Sequence, residues 1–170
     1  MAVTDQTRRQ FLSRTAGSVA AFLAAAVGVP LAGAALAPAI RQEDSQWTPL
    51  GPFADFPLGQ PKMVSFTQSK IDGYLRSTVS RTVWVYRSGQ DQVVIYNGRC
   101  THLGCLVNYQ ASSRTFNCPC HGGIFTVADG AVIDGPPPRP LDRLLYHVED
   151  GRLLAEYHDF LVGVPDQTAL

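Results

Sequence analysis

From Thr15 to Ile40 the chain runs for 26 residues without a charge. Such a run predicts a bilayer-crossing helix, because about 20 helical residues span the hydrocarbon core. Pro30 would bend that helix, and Gly17, Gly28 and Gly33 would let another helix come close. The polar stretch Arg41–Gln46 follows and reads as a tether. Pro49, Gly51, Pro52, Pro57, Gly59 and Pro61 then punctuate the chain, so no helix is expected there and residues 41–62 read as a hinge and tether. Past residue 62 the period becomes two. Strands are predicted at Val64–Thr67, Val79–Tyr86, Val93–Tyr96, Ile124–Thr126, Ala131–Ile133, Arg143–Val148 and Arg152–Tyr157. Asp129-Gly130 and Asp150-Gly151 read as hairpin turns. The pattern predicts an all-β body over 63–170, an antiparallel sandwich or barrel. It is preceded by an N-terminal segment, 1–14, and one transmembrane helix, 15–40.

A chain of 170 residues and 18.4 kDa suits one domain with an appendage. Lys plus Arg and Asp plus Glu both number 14, which excludes a strongly basic nucleic-acid binder; no nucleic-acid partner is expected. The charge is uneven. Arg8, Arg9 and Arg14 face a single acid, Asp5, before the apolar run. The positive-inside bias therefore puts the N-terminus in the cytoplasm and the body on the far side. Thr7-Arg8-Arg9-Gln10-Phe11-Leu12 resembles the twin-arginine export motif, with Arg8 and Arg9 as its pair. The best small-x-small cleavage site, Ala35-Leu36-Ala37, is followed by Pro38, which disfavours cleavage. An uncleaved signal that stays as the anchor is therefore preferred over a cleaved signal releasing a soluble body. The expected location is a bacterial inner membrane, single-pass, with the body on the periplasmic side.

All four Cys and two of the four His lie in two short segments. These are Cys100-Thr101-His102-Leu103-Gly104-Cys105 and Cys118-Pro119-Cys120-His121-Gly122-Gly123. Each offers a Cys and a His at metal-ligand spacing, and each has one spare Cys. The count allows a metal site, two disulfides, or one of each. Thiolates with imidazoles suit iron–sulfur chemistry or zinc. A structural zinc site with two free thiols is the plainer alternative, although zinc needs neither the spare pair nor both glycine-flanked loops.

The two segments, with Gly135-Pro136-Pro137-Pro138, resemble the Rieske iron–sulfur proteins, and within them the quinol–cytochrome c oxidoreductase branch. The resemblance implies one 2Fe–2S cluster, with Cys100 and Cys118 on the inner iron and His102 and His121 on the outer one. It implies a Cys105–Cys120 disulfide and a cluster-binding subdomain at about 98–140. Gly104, Gly122, Gly123, Phe125, Gly135, Pro136, Pro137 and Pro138 would surround the cluster. His102 and His121 would contact quinol and take its proton, with Leu103 docking at the tip. Implied partners are a cytochrome b subunit, a c-type cytochrome, quinol and the lipid membrane. Replacing two thiolates by imidazoles removes negative charge, so such centres reach about −150 to +300 mV against about −400 mV for plant-type clusters. Many relatives carry Ser where this chain has Gly123 and Tyr where it has Phe125, and those hydroxyls favour the reduced cluster. Their absence implies a lower potential and a donor such as menaquinol. Two rival roles are the Rieske small subunit of a periplasmic arsenite-oxidase-like molybdoenzyme and a stand-alone electron carrier; the former lacks the Gly-Pro-Pro-Pro loop. His147 and His158 read as surface strand residues, Trp47 and Trp84 as packing residues, and Arg139 as a solvated charge.

Overall fold

The computed structural model describes residues 7–40, 47–72 and 75–170. The chain divides into two units, Met1–Asp44 and Ser45–Leu170. The first is built on one helix, α1, Arg8–Ile40. The Gln10 side chain accepts from the Thr7 amide at its start, and the backbone stays helical through Pro30. At 33 residues it is about 50 Å long, more than a bilayer core of about 30 Å requires. Phe11, Phe22, Leu23, Val29 and Leu31 are all exposed, so these apolar side chains lie on the helix surface. It is long and apolar enough to cross a membrane. The helix begins seven residues before the predicted rod, so Arg8 and Arg9 sit in its first turn rather than in a separate segment. Cations there oppose the helix dipole. Helix stability therefore does not account for them.

The second unit is all-β, as the alternating pattern predicts. Its strands are β1 (Trp47–Pro52), β2 (Lys62–Asp72), β3 (Leu75–Arg87), β4 (Val93–Asn97), β5 (Asn108–Gln110), β6 (Thr115–Asn117), β7 (Ile124–Thr126), β8 (Val132–Asp134), β9 (Arg143–Glu149) and β10 (Arg152–Glu156). A six-stranded sheet runs β1-β10-β9-β4-β3-β2, and a four-stranded sheet runs β5-β6-β7-β8. All pairings between these strands are antiparallel.

Three strands were not expected. β1 falls where prolines and glycines suggested a tether, followed by a single 3-10 turn, Phe53–Asp55. Because β1 is the sheet edge, its Pro49 and Pro52 need not donate to a second neighbour, and the register shifts between Pro49 and Gly51. The tether reading of residues 47–52 is thereby corrected; Arg41–Gln46 lies outside the described residues. β5 and β6 are three residues each, too short for a periodic signal. β2 and β3 extend beyond the predicted strands: the ladder continues through Ser69 opposite Thr78 and Lys70 opposite Ser77 to Asp72 opposite Leu75, positions with no apolar alternation to mark them. The Asp150-Gly151 turn takes the left-handed backbone at both residues (φ 49° and 71°), as a two-residue hairpin requires.

The centre of the fold is the pair β3–β4, because both of its faces are buried. Val83, Val85, Val93 and Ile95 point into one core with Phe56, Leu144, Leu153 and Ala155. Trp84, Tyr86 and Tyr96 point into a second core with Val107, Phe116, Phe125 and Leu141. Cys100 and Cys118 belong to that second core. The Trp84 indole donates to the Val107 carbonyl at 3.1 Å, and the Tyr96 hydroxyl donates to the Val127 carbonyl at 3.1 Å. Trp84 is thus a packing residue, as expected.

Burial pushes the Tyr96 phenol up to about 12. Its folded value lies above the ordinary one, so its contribution to stability is complete below about 10 and is lost as pH rises through about 12. We expect an absorbance titration to show a late tyrosine step well above the ordinary range, to which Tyr96 contributes. Tyr96→Phe should reduce that step and cost about 1 kcal/mol in denaturant unfolding, since it leaves the Val127 carbonyl unpaired.

Candidate metal centre

Two loops of the same design carry the cysteines. After β4, the Cys100 amide donates to the Cys105 carbonyl (2.8 Å) and the Gly104 amide to the Cys100 carbonyl (2.9 Å). Between β6 and β7, the Cys118 amide donates to the Gly123 carbonyl (2.7 Å) and the Gly122 amide to the Cys118 carbonyl (3.1 Å). In both, the fifth residue is a glycine in the left-handed region, Gly104 (φ 77°) and Gly122 (φ 71°). Each loop thus closes on its first residue, a buried cysteine, and leaves Leu103 in the first loop and Pro119, Cys120 and His121 in the second exposed. A disulfide joins Cys105 to Cys120 across the two loops.

The disulfide leaves Cys100 and Cys118 as the free thiols, both buried. The sulfurs of Cys105, Cys118 and Cys120 lie within 4.8 Å of one another, but two of the three are in the disulfide, so that trio is not a ligand set. The rings of His102 and His121 face each other edge-on with centroids 4.9 Å apart. His102 is half-buried, His121 exposed, and Leu103 beside them is 59% exposed. Burial pushes the Cys100 thiol up to about 11, and the adjoining Cys118 thiol pushes the same way; backbone N–H groups of His102 and Leu103 oppose it. Two neighbouring buried thiols cannot both ionise unless a cation offsets their charge. The donor set therefore fits a metal group with thiolates on its buried side and imidazoles on its solvent side.

The loop at 135–138 lies against the second cysteine loop. Gly135 has φ 89°, and a Cβ there would stand 2.8 Å from the Gly122 carbonyl oxygen. Pro137 is buried while Pro136 and Pro138 are exposed. A Cβ on Gly123 would meet the Pro137 ring at 2.7 Å. The missing hydroxyl at Gly123 therefore has a steric cause beside any electronic one. Phe125 is fully buried in the second core.

Arg139 contradicts its expected role as a solvated charge. It is 5% exposed and pairs with Asp142 through two hydrogen bonds of 2.9 Å. The spacing Arg-x-x-Asp beside prolines was a signal for this pair, overlooked because isolated charges are usually solvated. Thr101, also missed, is fully buried between Cys100 and His102. His147 and His158 stand apart from the loops on and beside the last strands. His147 packs on Trp47 with centroids 4.2 Å apart, and His158 faces Glu156 at 3.3 Å.

An all-β body with two such loops, paired thiols and paired imidazoles is the build of an iron–sulfur protein. Residues 46–157 match the Rieske [2Fe-2S] domain, and the chain belongs to that family. Its cofactor is accordingly a 2Fe–2S cluster, which sets the zinc reading aside. The chain is 35% identical over 153 residues to the menaquinol:cytochrome c reductase iron–sulfur subunit of Bacillus subtilis, covering 88% of this chain and 90% of that one. It is 32% identical over 150 residues to the cytochrome b6-f complex iron–sulfur subunit of Chlorobaculum tepidum, covering 88% and 75%. A solved plasma membrane Rieske protein from the cyanobacterium Synechocystis aligns with 26% identity and a TM-score of 0.44, over 65% of this chain and 99% of that one.

Two outcomes follow from this geometry. Replacing both Cys105 and Cys120 by Ser opens a loop with a separation of 15 residues. Denaturant unfolding should then show a loss of about 3 kcal/mol. Gly123→Ser must displace the Pro137 ring, so its melting temperature should fall, whereas Gly122→Asn, with nothing near its Cβ and a residue type tolerant of positive φ, should fall less.

Proposed function

We propose that this chain is the electron-transfer subunit of a bacterial quinol–cytochrome c oxidoreductase of the cytochrome bc type. The observation that carries the reading is the split of the site: two buried thiols, and two imidazoles with Leu103 beside them at the solvent face. Two relatives named above support it, a menaquinol:cytochrome c reductase iron–sulfur subunit and a cytochrome b6-f complex iron–sulfur subunit. Cys100, Cys118, His102 and His121 would hold the 2Fe–2S cluster, which when bound supplies a one-electron carrier.

The remaining roles belong to the chain. An outward ring nitrogen of His102 or His121 accepts the hydrogen bond of a quinol hydroxyl and takes its proton. Leu103 seats the tip in an apolar pocket of cytochrome b and excludes water there. The disulfide and the proline loop hold the two cysteine loops at a constant separation. The second electron of quinol goes to cytochrome b, and a c-type cytochrome is the acceptor for this chain. Gly123 and Phe125, both without hydroxyls, favour a lower-potential donor, menaquinol. Helix α1 anchors the chain with Arg8 and Arg9 at the cytoplasmic end and the body outside, exported by the twin-arginine route.

Purification in mild detergent tests this reading. The chain should copurify with b- and c-type haem and without molybdenum, and the reduced sample should give a nitrogen-ligated 2Fe–2S EPR signal. His121→Ala should abolish both that signal and quinol-dependent cytochrome c reduction. A chain that purifies alone, with a normal signal and no haem, would sink the proposal in favour of a free carrier.

A further inference from the structure

After β10 the chain forms a small surface loop, residues 159–170, closed on itself. The Leu161 amide donates to the Thr168 carbonyl (2.9 Å), the Leu170 amide to the Asp159 carbonyl (2.8 Å), and Phe160 bridges Ala169. Apart from buried Phe160, most of this loop is exposed, so hydrophobic burial does little to explain its order. What holds it is polar, and two of those contacts lead to the first cysteine loop, one directly and one through Arg99. The Gly163 amide donates to the Thr101 carbonyl at 2.8 Å, one residue before His102. The Asp159 carboxylate pairs with Arg81 at 2.5 Å and Arg99 at 3.5 Å. Arg99 in turn donates from Nε to the Gly104 carbonyl at 3.2 Å. The strap therefore grips the cysteine loop on both sides of His102.

Arg139 locks the strap to the proline loop. Its guanidinium, held by Asp142, donates to the carbonyls of Leu161 (2.8 Å) and Val164 (2.5 Å). Its own carbonyl accepts from the Thr101 hydroxyl at 2.7 Å. Thr101 is thus bonded to the strap through its carbonyl and to the proline loop through its hydroxyl. A buried charge with all three of its nitrogens hydrogen-bonded keeps one arrangement, because any shift strands a charge or a carbonyl.

We propose that the C-terminal strap and Arg139 act together as a positioning element for His102, setting the direction of its ring. The proposal rests on reading His102 as a ligand of the cluster and a contact for quinol.

Two variants test it. One is the chain ending at Phe160, which removes the Leu161, Gly163 and Val164 contacts while leaving Arg139 with Asp142. The other is Arg139→Lys, which keeps the charge, but one ammonium cannot span Asp142 and both carbonyls. EPR g-values and midpoint potential are read on the purified chain, and quinol KM and kcat on the whole complex. We expect near-parental iron content, displaced g-values and potential, and a quinol KM raised about tenfold with a smaller change in kcat. A displacement of 1 Å can cost about a hundredfold, so tenfold corresponds to a ring turned rather than lost. If the truncated chain fails to load its cluster, Arg139→Lys, with the strap complete, carries the same readouts. A lowered melting temperature with parental g-values, potential and KM would overturn the proposal, because the strap would then only stabilise. The g-values and potential need no quinol, so they judge the strap even if the quinol reading fails.

Discussion

Two cysteine thiols lie buried side by side, Cys100 and Cys118, and much of the fold serves to keep them so. Burial pushes the Cys100 thiol up, and a cation beside the pair would offset the charge of their thiolates. Both loops must therefore bring a sulfur inward while sending an imidazole outward. They do so by one device: a cysteine bonded at both its amide and its carbonyl by the far end of its own loop, with a glycine in the left-handed region to make the turn. The loops sit on the second core, formed in part by the reverse faces of β3 and β4. Burial of both faces of that strand pair ties the position of the site to the body's main core.

Three clamps of different chemistry then act on the loops. The disulfide joins them covalently. The proline loop presses on the second, through Gly135 against Gly122 and Pro137 against Gly123, contacts that leave no free space for a Cβ at Gly135 or Gly123. The buried Arg139–Asp142 pair and the C-terminal strap reach the first loop through Thr101. A small cluster subdomain with strands of three residues needs such ties, because it has little apolar area of its own.

Helix α1 obeys another physics. It exposes apolar side chains from Phe11 to Leu31, and Arg8 and Arg9 stand at the end where the dipole disfavours them. Both features are unfavourable for an isolated helix in water and ordinary for one whose surroundings are lipid, with its basic end held at the surface.

By itself the sequence determined the apolar helix, most of the strands, the two hairpin turns and the family of the site. These depend on local features: an uncharged run, period-two alternation, Asp-Gly pairs and cysteines at short spacing. Leu103 was also legible as an exposed tip, since it stands between an outward histidine and a tied cysteine. Tertiary structure alone decided the rest. β1 became a strand because the edge of the sheet tolerates its prolines. Gly123 proved to be a question of space because Pro137, fourteen positions later, occupies its side. Arg139 became a buried rivet because Asp142 and two carbonyls from the C-terminal strap surround it. In each case the deciding partner lies on another element, at a distance along the chain that no local pattern records.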